Sequence, residues 1–276
     1  MLLDRLAIVI PIIPLAVWVI YLGGPVYAVA VLALLLVGAR EYGRMFLAGG
    51  QRPALPVLLG GVPAVAAAHG LALPGVEVGW VFALLLVASL VWHLVDYERG
   101  APGAGTDFAV TLGGLVYLGW MGGYFLALRA LPDGLWWSAT IFSSIWLADS
   151  AAYVAGRRFG RNFLAPRLSP KKTWEGYVGG AVGGALGAGL LAALWGLGAG
   201  PGSLVGWPAG LGLGALTALT GPIGDLGISM LKRQTGVKDA GHVMAGHGGV
   251  LDRIDSWLIA IPLGYYGVLL LQTWLR

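Results

Sequence analysis

Nine apolar runs, most of them close to the length of a membrane crossing, dominate this chain. They are Leu6–Leu22, Pro25–Ala39, Ala54–Leu73, Val78–Val95, Phe108–Leu128, Leu135–Ala155, Gly176–Leu197, Leu204–Leu219 and Ile254–Trp274. A helix needs about 20 predominantly apolar residues to cross a bilayer core about 30 Å thick. The expected fold is therefore all-α, a polytopic integral membrane helical bundle of about nine transmembrane helices. Composition agrees: 11% of the 276 residues are charged, against roughly 25% in soluble domains. The first run follows Arg5, and Ala28-Val29-Ala30 resembles a cleavage site, as in a signal peptide. Pro11, Pro14 and the unbroken passage into further apolar sequence favour an uncleaved anchor instead.

Orientation follows from the basic residues, which favour the cytoplasmic side of short loops. With the N-terminus inside and nine alternating spans, all 17 Lys and Arg except Arg129 and Arg276 fall on the cytoplasmic side. The expectation is N-in, C-out. Outer connections such as Gly23-Gly24 and Gly198–Ser203 are short and uncharged, whereas Gly156–Glu175 and Gln234–Leu251 are polar, charged and cytoplasmic. Function concentrates in loops held by a rigid scaffold. Residues 1–133 accordingly read as N-terminal scaffold helices, with dimer or lipid contacts, and residues 134–276 as the catalytic region. Gly179, Gly183 and Gly187, with Gly180 and Gly184 beside them, have the small-xxx-small spacing of close helix packing in lipid.

Charge is concentrated in Gly221–Trp257, between apolar runs. A charged side chain at the centre of a spanning helix costs about 2.5–3.5 kcal/mol on insertion scales, so such groups persist when they pair, bind an ion or line a wet cavity. Gly221-Pro222 is expected to break or kink the preceding helix. On a resumed helix, Asp225, Ser229 and Lys232 share a stripe, with Arg233 adjoining. A salt bridge with a solvated end would explain that stripe, but Asp225 lies only a few residues beyond an apolar run. Next, Gly236, Gly241, Gly246, Gly248 and Gly249 punctuate a segment holding Lys238, Asp239, His242 and His247. Glycines let backbone N–H groups approach phosphate oxygens, and lysine adds a mobile positive charge. Asp252, Asp255 and Ser256 then share a face as the last helix begins, where the helix dipole alone accounts for an acid such as Asp255. Asp225 and Asp252, on helices joined by a loop, can share one or two cations. With no cysteine in the chain, metal ligands must be oxygen or imidazole, which favours hard ions such as Mg²⁺.

A third group spans Ala148–Gly176. Asp149 follows apolar Ile141–Leu147, and an intramembrane acid is a site candidate unless it pairs with a neighbouring arginine. Ser169-Pro170-Lys171-Lys172-Thr173-Trp174-Glu175 offers two lysines, two hydroxyls and a carboxylate. Arg157, Arg158 and Arg161 read as a positive-inside anchor, and His69 and His93 as structural residues.

At these residues the chain resembles the phosphatidate cytidylyltransferase family, also called CDP-diacylglycerol synthase. The family signature is met by Ser229-Met230-Leu231-Lys232-Arg233, Lys238-Asp239 and His247-Gly248-Gly249-Val250-Leu251-Asp252-Arg253-Ile254-Asp255. Met244 stands where Leu, Ile or Phe is usual. Asp149, Tyr153, Gly156 and the segment Ser169–Gly176 resemble the family's second block, whereas the first hundred residues agree only in being hydrophobic. The resemblance implies transfer of a cytidylyl group from CTP to phosphatidic acid, assisted by Mg²⁺, giving CDP-diacylglycerol and pyrophosphate for phospholipid biosynthesis. It implies catalytic roles for Asp225, Asp252, Lys232 and Lys238. Asp225 and Asp252 become metal ligands, with Asp149 and Asp255 as further candidates. Ser229, Arg233, Lys171, Lys172, His247 and Arg253 become phosphate-binding residues. It also allows a monovalent cation such as K⁺, a homodimer, and a bacterial inner membrane location with the active site facing the cytoplasm.

A transporter for an anionic or phosphorylated solute is the main rival, since acids and broken helices also mark transport paths. It predicts related sites in both halves, and here the charge is concentrated in the C-terminal half. A CDP-alcohol phosphotransferase needs a spaced aspartate cluster that the sequence lacks.

Overall fold

The structure is a computed structural model that describes residues 14–71, 73–241 and 248–274. Helix α1 covers 14–22, and is followed by α2 (Gly24–Ala48), α3 (Leu55–Gly70) and α4 (Val78–Glu98). One continuous helical stretch, Ala104–Ala130, comprises α5 (Ala104–Gly114), a π-helical turn (Leu115–Trp120) and α6 (Met121–Ala130). Then come α7 (Gly134–Phe159), a β-hairpin of β1 (Phe163–Ala165) and β2 (Ser169–Thr173), α8 (Trp174–Gly196), α9 (Trp207–Gln234) and α10 (Leu251–Trp274). Among the described residues, six helices are long and apolar enough to cross a membrane: α2, α4, the Ala104–Ala130 stretch, α8, α9 and α10. Helix α3 is apolar but has only 16 residues.

Every apolar run coincides with a helix, the first of them only over its described part. Several helices outrun the apolar sequence, and in α2 burial is the cause. Helix α2 continues nine residues past Ala39 because Glu41, Tyr42, Met45 and Phe46 all pack inside the protein. Helix α7 has 26 residues but is less apolar, and its hydroxyls bond back to its own carbonyls, as Ser143 does to Ala139 and Ser150 to Trp146.

Two sequence expectations are corrected. Of the break or kink expected at Gly221-Pro222, the break does not occur, since α9 runs from Trp207 to Gln234 with Pro222 inside it. Gly224 instead serves close packing: a β-carbon there would run into the backbone of Asp255. The polar segment Gly156–Glu175, expected as a loop, is not a plain loop either. Helix α7 extends to Phe159, an antiparallel hairpin pairs Phe163 with Thr173 and Ala165 with Ser169, and α8 begins at Trp174.

The chain forms two compact units. The first comprises Met1–Ala127 and Leu231–Ile254, the second Leu128–Met230 and Asp255–Arg276. In the first, Leu35, Leu58, Val62, Leu115 and Leu118 are fully buried. A polar lock ties its helices: Thr111 Oγ1 bonds the ring of His93 and accepts from Ala54 N, and Asp107 accepts from Arg52 N. His69 stacks on Trp120 and meets Tyr124 edge-on. In the second unit, α7 and α8 pack through small residues. Gly179 faces Ala155, Gly180 faces Ala152, and Gly184 fits between Ala148 and Ala218. This is the contact the glycine spacing predicted.

Candidate functional site

In the second unit, the hairpin delivers Lys172 to the carboxylates. Thr173 caps α8 by accepting from Gly176 N at 3.1 Å. Glu175 accepts from the backbone of Arg161 and Asn162 and from the Asn162 side chain, which closes the turn after α7. The C-terminal end of strand β2 is thereby held, its start is paired with β1 at Ala165, and Lys172 extends from it to an ion pair with Asp225 of α9. Lys172 also lies in the fields of Asp149, on α7, and Asp255, on α10. Burial pushes the Lys172 ammonium below the ordinary lysine range, and the two further carboxylates oppose that shift. One ammonium thus faces three acids. Asp255 is 6% exposed, and Ser229 lies one turn beyond Asp225 on α9. Lys171 is exposed on the same strand, as are the neighbouring Arg157, Arg158, Arg161 and Arg167.

In the first unit, Asp252 organises the glycine-rich segment. Its Oδ1 accepts from Lys232 Nζ at 2.6 Å. Its Oδ2 accepts from the backbone N–H groups of Ala240 and Gly249, both at 3.0 Å. Gly248 has φ +79°, a conformation that favours glycine, and a β-carbon there would sit 2.9 Å from Asp252 Oδ2. Lys238, Arg233 and Arg253 are exposed. His247 and His242 lie outside the described residues.

The pairings within each unit are therefore Asp225 with Lys172 and Asp252 with Lys232. Sequence reasoning identified all four residues but not which lysine each acid takes. It missed Glu41. This acid is 4% exposed on α2, and its Oε2 accepts from Leu251 N at 2.8 Å, where α10 starts. A signal was present, for Glu41 stands on a long apolar helix, but Arg40 and Arg44 on either side give the stretch the look of a loop flank.

The donor set bears on a metal ion. Among the described residues, no three Asp, Glu or His side chains are grouped as a ready cage. The described residues by themselves form no closed, all-protein calcium or zinc site. Carboxylates placed singly suit an ion such as Mg²⁺, which typically takes one or two of them and fills the rest of its shell with water and substrate phosphate oxygens. The three acids around Lys172 already attract one cation, its own ammonium.

The whole chain compares closely with known proteins. A model described as the cytidylyltransferase family matches residues 3–271. The chain is 33% identical to a phosphatidate cytidylyltransferase of Synechocystis sp., over 94% of this chain and 94% of that protein. It is 32% identical to one from Mycobacterium bovis, over 84% of this chain and 76% of that protein. It is 42% identical to one from Haemophilus influenzae over a shorter match, 48% of this chain and 46% of that protein.

Proposed function

This chain belongs to the cytidylyltransferase family and is a nucleotidyltransferase of the membrane, and from that premise we propose that it transfers the cytidylyl group of CTP to phosphatidic acid. The products are CDP-diacylglycerol and pyrophosphate. The observation that carries the reading beyond family membership is the cluster in the second unit, a partly buried lysine confronted by Asp225, Asp149 and Asp255.

The chemistry asks for such groups. An oxygen of the lipid phosphate attacks the α-phosphorus of CTP, and the bond from that phosphorus to the pyrophosphate oxygen breaks. The nucleophile is already an anion, so no strong general base is required. What must be overcome is repulsion between two polyanions and the charge on the leaving pyrophosphate. Lys172, Lys171, Lys232, Arg233, Lys238 and Arg253 supply positive charge for the phosphates, and Ser229 and His247 supply hydrogen bonds. Asp225 and Asp252 are the metal ligands in this reading, supported by Asp149 and Asp255. When bound, Mg²⁺ supplies Lewis-acid neutralisation of the triphosphate. Lys172 and Lys232 hold the acids in place until substrate arrives, then pair with phosphate oxygens instead. A monovalent cation such as K⁺ beside Mg²⁺ belongs to the same reading.

In this reading the chemistry lies at the cytoplasmic face of a bacterial inner membrane, in a bundle of about nine spans, N-in and C-out, and the basic residues of the loops support that orientation. Residues 1–133 form the scaffold and 134–276 the catalytic region, and the glycine-rich helix faces suit a homodimer.

The test is direct. Purified protein in mixed micelles receives CTP labelled at the α-phosphate, phosphatidic acid and Mg²⁺. Label should pass into the organic-extractable lipid with release of pyrophosphate, and neither should occur without phosphatidic acid. Absence of labelled lipid with every component present rejects the proposal.

A further inference from the structure

The carboxylate of Glu41 is buried and only half used. Its Oε2 accepts the N–H of Leu251, one of the amides that the first turn of α10 leaves without a helical partner. Its Oε1 is buried with no hydrogen-bond partner among the described residues. Both oxygens press on glycine backbone. A β-carbon on Gly241 would run into Oε1 and the carboxyl carbon, and one on Gly249 would run into Oε2. Gly241 and Gly249 themselves approach closely, since the same β-carbon on Gly249 would lie 2.7 Å from Gly241 N. These two glycines therefore form a neck, and Glu41 fills it from one side. Asp252 holds it from the other, bonding Ala240 and Gly249, each next to or part of that neck.

We infer that Glu41 is a positioning residue for the reaction: it grips the neck between Gly241 and Gly249 and the start of α10, and so fixes where Asp252 and its partner Lys232 stand. The inference rests on the proposed reading that these residues serve CTP. Leu251 and Asp252 are consecutive, so a shift of the Leu251 amide displaces the Asp252 carboxylate and with it the Lys232 ammonium. A residue of the N-terminal scaffold thereby controls part of the signature segment. Glu41 acts through shape and hydrogen bonding, not through its charge, which makes glutamine an adequate replacement and alanine an inadequate one.

The test uses the full-length protein in detergent, with steady-state kinetics in CTP and backbone hydrogen exchange over residues 248–254. Glu41→Ala should raise the KM for CTP about tenfold or more while Glu41→Gln stays within about threefold of the parent, the pattern of a lost positioning contact. Gly241→Ala should resemble Glu41→Ala, because its methyl displaces the carboxylate. The double variant Glu41→Ala with Gly241→Ala should be no worse than Glu41→Ala alone, since neighbours that share one contact are not additive. Exchange over 248–254 should quicken in Glu41→Ala, with that of α4 unchanged. Additive losses, a Glu41→Gln as impaired as Glu41→Ala, or unchanged exchange would each overturn the inference. Should Glu41→Ala not fold, Glu41→Asp in the Gly241→Ala background carries the test. The shorter acid makes room for the methyl, so CTP affinity must partly return, and failure to return counts against Glu41. A parent protein that makes no CDP-lipid defeats the proposed function, whereas the exchange measurement still judges the role of Glu41.

Discussion

Asp225 and Asp252 carry the same side chain in opposite settings, and that difference sorts their expected phenotypes. Asp225 is held by a lysine from a hairpin, with a third of its side chain exposed. Asp252 is 10% exposed and receives one ammonium and two backbone amides. Asp225→Asn should therefore fold normally and lose turnover by about 100-fold or more, as expected when a charge at the reacting centre is removed. Label incorporation and a thermal melt in detergent together check this. Asp252→Ala should lose stability as well as activity. A buried donor left unsatisfied costs about 1–3 kcal/mol, and two backbone amides lose their acceptor at once. Its melting temperature should fall further than that of Lys232→Ala, which leaves both amides bonded, and an equal fall in the two variants would refute the organising role of Asp252. Asp225 and Asp252 were legible because the bilayer tolerates acids only with partners. Their partners were not. Lys172 is 53 positions from Asp225, and no local spacing rule reaches that far. Glu41 escaped for a different reason, since Arg40 and Arg44 mask it as part of a positive-inside flank.

At the scale of elements, continuous apolar runs located every described helix, but they marked where lipid-length segments lie rather than where helices stop. Helix α2 continues beyond its apolar run because Glu41, Tyr42, Met45 and Phe46 meet other protein rather than water, and α9 continues with Gly221, Gly224 and Ile228 buried. The hairpin was hidden because its strands, Phe163–Ala165 and Ser169–Thr173, are three and five residues long, too short for an alternating pattern to stand out. The glycine stripe was readable, since spacing of four on a helix puts small residues on one face. Its energetic weight can be measured at Gly184, where a β-carbon would already stand 2.7 Å from Ala218 Cβ and 2.9 Å from Ala148 Cβ. Gly184→Leu should destabilise the protein by at least about 1–3 kcal/mol, the usual cost of overpacking a closely packed interface. Gly60→Leu provides the comparison, because no atom lies within 4 Å of a β-carbon there. Thermal unfolding of both variants in one detergent checks this, and equal melting temperatures would show that the α7–α8 contact is not tightly packed.

At the scale of the whole molecule, the proposed chemistry requires the basic segments to share the compartment that holds CTP. Sequence charge argues for this strongly: only Arg129 and Arg276 depart from the cytoplasmic side when nine spans alternate from an inside N-terminus. Orientation is set by the membrane and not by internal packing, so the folded chain alone does not carry it. The absence of native cysteine makes the orientation measurable with single replacements. Arg167, exposed in the turn of the hairpin, and Pro201, exposed between α8 and α9, fall on opposite sides in the proposed topology. Neither contacts the carboxylate clusters. In intact spheroplasts, a membrane-impermeant maleimide should label Pro201→Cys and leave Arg167→Cys unlabelled until the membrane is permeabilised. The reverse pattern would put Lys172 and its hairpin outside, away from cytoplasmic nucleotide, and labelling of both from one side would require an even number of crossings between them in place of α8 as a single span.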